Sequence, residues 1–192
     1  SLEVSKVEES NLEALKKLIW KRHSTIFVDG AEKLKLVTEF SFDEKGELQT
    51  NVVDADTDVE QKRGLRGRAQ KNAIEDKMDY VEKAGQLALA YTFMTKGQLM
   101  DFFAKASVTE ENGNYIATAE NVYVKGDVVT FVIDKENKKF ISKQFKSFVG
   151  QDGISGEIIY ADLSNGIHYG ATSSLDMPAK KMKILAENKD YT

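Results

Sequence analysis

The stretch from Gly126 to Phe148, "GDVVTFVIDKENKKFISKQFKSF", decides the fold class. Two strand-like runs flank the turn-forming segment Asp134 to Lys139. Period-two alternation bounded by Gly, Asn and Asp clusters is the mark of half-buried strands joined by tight turns. The same pattern extends in both directions. From Asn112-Gly113-Asn114 onward the helical spacing is lost, and the chain reads as about six strand-like runs. They are punctuated at Lys125-Gly126-Asp127, Asp134 to Lys139, Gly150 to Gly156 and Ser164-Asn165-Gly166. Within the last run Met182, Ile184 and Ala186 alternate with Lys181, Lys183 and Glu187. Residues 114–190 are therefore expected to form an antiparallel meander.

Upstream, the period changes. Residues 59–106 read as two helices: Ile74, Met78, Val81, Ala84, Leu87, Ala88 and Tyr91 form a stripe. Leu99, Phe102 and Phe103 then recur at i, i+3 and i+4. Residues 32–54 read as a hairpin. Leu34, Leu36, Thr38, Phe40 and Phe42 share one face, Asp43-Glu44-Lys45-Gly46 turns the chain, and Leu48, Thr50 and Val52 return. The first segment, residues 1–28, reads as an amphipathic helix carrying Leu12, Leu15, Leu18 and Ile19, with Ser10 and Glu13 as a capping box and Trp20 near its end. A single domain follows, of class α+β: an antiparallel sheet covered by about three helices.

Composition narrows the function. The chain has 192 residues, 41% hydrophobic and 30% charged, with net charge -4 and no cysteine. Thiolate catalysis, disulfides and cysteine metal sites are absent, and a dedicated nucleic-acid binder would be basic. No apolar run is long enough to span a membrane. The chain starts at Ser1 without methionine, which fits a removed leader and an exported or periplasmic protein.

The segment Val59 to Lys71, "VEQKRGLRGRAQK", is the densest basic run. Following Asp54, Asp56, Asp58 and Glu60, it reads first as a solvated helix start with acids and bases paired across turns. The alternative is a phosphate or lipid-headgroup site at Arg63, Arg66 and Arg68. It lacks the GK[ST] ending of a Walker loop. An EF-hand counted from Asp54 fails at Val59, where glycine is needed, and at Leu65, where a glutamate is needed. His23 and His168 have no metal-ligand spacing, and no G-x-S-x-G elbow occurs. No metal, cofactor or catalytic residue is expected.

The aromatic residues remain. They either fill the core between sheet and helices, or line a cavity under a curved sheet. The segments "IWKRHST", "QKRGLRGR" and "GDVVTFVIDKENKKFISKQFKSF" together resemble the periplasmic lipoprotein-carrier (LolA/LolB-like) proteins and uncharacterised exported bacterial proteins. That resemblance implies a strongly curved antiparallel sheet, an incomplete barrel with an apolar cup capped by helices. The expected function is a monomeric, non-enzymatic binding protein for an apolar small molecule, lipid or lipoprotein. The expected lining is Trp20, Phe40, Phe42, Met94, Phe102, Phe103, Tyr123 and Phe131. The alternative is an envelope interaction or structural domain with a filled core.

Overall fold

The computed structural model describes residues 1–57 and 65–192, the side chains of 57 and 65–76 excepted. Helix α1 (Leu2–Leu15) leads into β1 (Trp20–Val28), β2 (Ala31–Phe42) and β3 (Leu48–Thr57). Helices α2 (Leu65–Thr92) and α3 (Lys96–Lys105) follow. The chain then runs through β4 (Ser107–Glu111), β5 (Asn114–Glu120), β6 (Val128–Asp134), β7 (Phe140–Val149), β8 (Asp152–Asp162), β9 (His168–Met177) and β10 (Met182–Lys189).

All ten strands form one antiparallel sheet in the order β3-β2-β1-β10-β9-β8-β7-β6-β5-β4. The pairing of β1 with β10 splices the early hairpin onto the late meander. Strands β3 and β4 stay as the two edges, so the sheet does not close. Helices α2 and α3 are the connection between those two edges and must pass across one face. With 28 residues, α2 reaches about 42 Å at 1.5 Å per residue. Register shifts at Ile26/Phe27, Val37/Thr38, Val132/Ile133 and Ile159/Tyr160 are bulges that bend their strands. The result is an α+β fold with a curved, incomplete barrel.

Local chemistry sets the corners. Asp29-Gly30 joins β1 to β2 and Asn112-Gly113 joins β4 to β5, with φ of 52° and 77° in the first pair and 51° and 79° in the second. These left-handed pairs are the two-residue turns whose twist matches a hairpin. Thr95 caps α3: its hydroxyl accepts from the Gln98 backbone, and the Gln98 side chain accepts from the Thr95 N–H.

Two boundaries differ from the sequence reading. Residues 20–28 are a strand, and α1 stops at Leu15 with Ser10 inside it rather than capping it. The apolar spacing of Leu12, Leu15, Leu18 and Ile19 runs on past the helix end, where the β-favouring run Thr25-Ile26-Phe27-Val28 takes over. Residues 152–156 belong to β8 rather than to a turn. Gly156 sits there because the Phe145 ring occupies the space of a Cβ, which would lie 2.4 Å from the ring.

The core is one continuous cluster. Under α3 and the end of α2, the rings of Phe102, Phe131 and Phe140 pack with Leu99, Met94 and Ile133, all essentially without exposed surface. Phe102 and Phe131 have centroids 4.2 Å apart. Helix α1 is tied on by Asn11, which exchanges two hydrogen bonds with the His168 backbone at 2.6 and 2.7 Å. Buried Lys143 donates to the Thr92 carbonyl at 2.9 Å and lies 3.5 Å from Glu8. Desolvation pushes the Lys143 ammonium below its usual range, against the pull of Glu8.

Candidate ligand cavity

Under the other half of the sheet the space is not filled. A cavity of about 380 Å³ lies between α2 and the faces of β3, β2, β1, β10, β9 and β8. That is the low end of ligand-sized cavities, which run from about 300 to 1,000 Å³. A depression of about 660 Å³ beside the β1–β2 turn is larger, but it is walled by Asp29, Asp176, Lys181 and Lys183 with mostly exposed side chains. It lacks the enclosing helix and is a surface groove.

Strand register builds the cavity floor in ranks, since alternate residues point to one face. The first rank is Thr50, Phe40 and Trp20. The second is Val52, Thr38, Arg22 and Asn188. The third is Leu36, Ser24, Ala186, Ser173 and Ile158. The fourth joins Ile26, Ile184 and Leu175. The floor is thus apolar at both ends and polar or small in the middle. Val81, Gly85, Ala88 and Leu89 of α2 form the roof. Exposed Thr50, Val52, Glu82 and Gln86 lie where the roof meets edge strand β3 and mark the mouth.

One end is closed by aromatic rings. Trp20 lies between Phe40 (centroids 5.5 Å, planes 18°) and Tyr191 (5.6 Å, 12°). Phe93 and Phe42 meet it at a tilt, at 6.3 and 6.0 Å. Reciprocal backbone hydrogen bonds of 2.9 Å between Ile19 and Thr192 hold the Tyr191 segment in place. The Trp20 indole N–H has no acceptor among the described residues.

Arg22 is the unusual member of the floor. Its Nε donates to Asn188 Oδ1 at 3.0 Å, and Asn188 Nδ2 donates to the Gly170 carbonyl at 2.6 Å. The guanidinium carbon lies 4.5 Å from the Phe40 ring centroid. No carboxylate lies within 4.0 Å of it among the described residues. Desolvation lowers its pKa to about 10, with Tyr191 pulling the other way. Burial raises the Tyr191 phenol, which Arg22 opposes. At neutral pH the arginine is a charged, half-buried group on the cavity floor.

The expected lining residues fall into three sets. Trp20 and Phe40 are on the cavity wall, and Phe42 backs Trp20 without reaching the lining. Met94, Phe102 and Phe131 are in the filled core under α3, with Phe103 against Phe102 at 5.3 Å. Tyr123 packs edge-on to Tyr91 at 5.1 Å, away from the cavity. Met94, Phe102, Phe103 and Phe131 lie outside the cavity because α3 drops its own rings onto that half of the sheet, and Tyr123 because its ring packs on α2. Arg63 lies outside the described residues, as do Asp58, Glu60 and Lys62; Arg66 and Arg68 lie in α2 but their side chains are not described. Reading β1 as helix concealed Arg22 and Ser24. The Asp29-Gly30 pair after an apolar β-branched run was the available signal for a strand there.

No family model matches the chain, and no curated protein matches it. Among solved structures, a domain from Vibrio parahaemolyticus named for outer-membrane lipoprotein sorting aligns at TM-score 0.53 and 8% identity, over 100% of this chain and 91% of that one. A LolA superfamily protein from Nitrosomonas europaea aligns at 0.44 and 6%, over 98% and 92%. A DUF1329 family protein from Desulfovibrio piger aligns at 0.41 and 7%, over 97% and 92%. The chain shares its fold with the lipoprotein-sorting domain. Among the described residues no helix is long and apolar enough to cross a membrane, and no cluster of His, Asp and Glu has a metal-holding arrangement.

Proposed function

We propose that this chain is a non-enzymatic binding protein of the bacterial periplasm, holding one apolar ligand, lipid or acyl group of a lipidated partner in the cavity under α2. The observation that carries the reading is the contrast between the two halves of one concave face. Beneath α3 the aromatic rings pack on one another with essentially no exposed surface, whereas beneath α2 a space of 380 Å³ remains with Ile26, Ile184, Leu175, Val81 and Leu89 around it. Water in such a space is expelled by an acyl chain at a gain of about 25 cal/mol per Å² of apolar surface covered. An interaction domain with a filled core predicts no such space.

The test is a titration of delipidated protein with a fluorescent fatty-acid analogue. Saturable one-to-one binding at micromolar concentration supports the reading, and absence of binding in that range removes it. The likeness to the lipoprotein-sorting domain supports the envelope location through fold alone. Fractionation of cells expressing the full-length protein tests it, with recovery in the cytosol as the contrary result.

A further inference from the structure

We propose that the ligand is an anionic amphiphile: its chain lies along the apolar parts of the cavity and its carboxylate or phosphate pairs with Arg22. This rests on the ligand-binding reading above and specifies the chemistry that the same cavity selects.

The argument starts from what holds Arg22. Nε is committed to Asn188, and Asn188 is itself fixed by the Gly170 carbonyl, so the guanidinium is oriented by a two-step chain of hydrogen bonds. The Phe40 ring supports one face of the planar group. The two terminal nitrogens, with four N–H donors, make no hydrogen bond to any described residue. A guanidinium presents those donors as a fork that matches the two oxygens of a carboxylate or phosphate. The half-buried guanidinium keeps only part of its hydration, so an anion that reaches this fork gains a charge-assisted pair.

Among the described residues the surroundings give no internal counter-ion. The lining, among the described residues, carries two carboxylates. Glu157 accepts from Gln144 at 2.7 Å, and Glu82, exposed at the mouth, accepts from Gln86 at 3.2 Å. Neither is within 4.0 Å of Arg22. The other groups facing it from the packed strands are Thr38, Ser24 and the Tyr191 phenol, all neutral. Arg22 therefore stands as a positioned cation beside small polar residues, with apolar ranks on either side of it. An uncharged hydrocarbon would leave the arginine unpaired, while a chain with an anionic group satisfies both parts of the floor.

The test uses three ligands of equal chain length: dodecanoate, dodecyl phosphate and the uncharged dodecanol. Each is titrated into delipidated full-length protein, wild type and Arg22→Met, at neutral pH. The wild type is expected to bind at least one of the two anions about 10- to 100-fold more tightly than the alcohol, the range of charge-assisted hydrogen bonding. The preferred anion tells carboxylate from phosphate. In Arg22→Met the anion preference disappears while the alcohol binds as before. Arg22→Lys keeps part of the preference and serves if the methionine variant does not fold. Equal affinity of the wild type for alcohol and anions overturns the proposal while leaving the apolar cavity standing. An unchanged anion preference in Arg22→Met does the same. Failure of all three to bind overturns the ligand-binding reading and this inference with it.

Discussion

Replacing Asp127 by asparagine is expected to destabilise the protein by about 4–5 kcal/mol, although Asp127 does not line the cavity. Asp127 is fully buried in the turn between β5 and β6. Its Oδ1 accepts from the Val122 N–H at 2.6 Å. Its Oδ2 accepts from Tyr123 N at 2.9 Å, Val124 N at 3.0 Å and the Tyr91 hydroxyl at 2.6 Å. Tyr91 is on α2 and its oxygen also accepts from the Ser147 hydroxyl of β7, so this carboxylate clamps the helix that roofs the cavity to the sheet. Asparagine keeps one oxygen. Placed at Oδ2 it retains three bonds, each weaker by about 1 kcal/mol once the acceptor is neutral. The Val122 N–H then faces an amide nitrogen at 2.6 Å and loses its partner, for a further 1–2 kcal/mol or so. Urea unfolding followed by far-ultraviolet circular dichroism measures the difference, with an unchanged denaturant slope showing that the same unfolding is observed. A loss below about 1 kcal/mol would refute the reasoning, since a single neutral bond accounts for that much.

The same clamp predicts a pH dependence. Burial raises the Asp127 carboxyl, but the Tyr91 hydroxyl and the three backbone N–H groups outweigh it and hold the group below its ordinary value of 3.8. A depressed folded value means that the contribution is complete above pH 3.8 and is lost as pH falls through the folded value. Wild-type stability therefore falls with acid in that window more steeply than that of Asp127→Asn. Ala186→Phe puts a ring into the middle rank of the cavity floor, beside Ser24 and Ser173. It is expected to abolish fatty-acid binding with less than about 1 kcal/mol of change in stability, because the ring enters space already open. Gly156→Ala drives a methyl into the Phe145 ring and should cost about 1–3 kcal/mol by thermal or urea unfolding.

How much of this was legible depended on the element. The meander was, because Asp134 to Lys139 and Ser164-Asn165-Gly166 punctuate runs whose alternation survives burial on one side. Strand β1 was not. Its inward residues, Trp20, Arg22, Ser24 and Ile26, mix aromatic, charged, polar and aliphatic side chains, so no period of two stands out. The mixture exists because those residues floor a cavity instead of a packed core. Nor could aromatic content separate Phe40, on the cavity, from Phe102 and Phe131, in the core. All three are large inward-facing rings, and the distinction comes from which helix crosses above them. Arg22 would have been read as one more surface cation in any helical assignment.

Calorimetric titration of delipidated protein with saturated fatty acids of increasing length tests the central claim, that the cavity under α2 accepts a hydrocarbon chain. Each methylene that enters is worth about 0.8 kcal/mol. Affinity should therefore rise about fourfold per carbon, with one-to-one stoichiometry and a negative heat-capacity change, and then level off once the cavity is full. Affinity that does not depend on chain length, or heats that never saturate, would contradict the account.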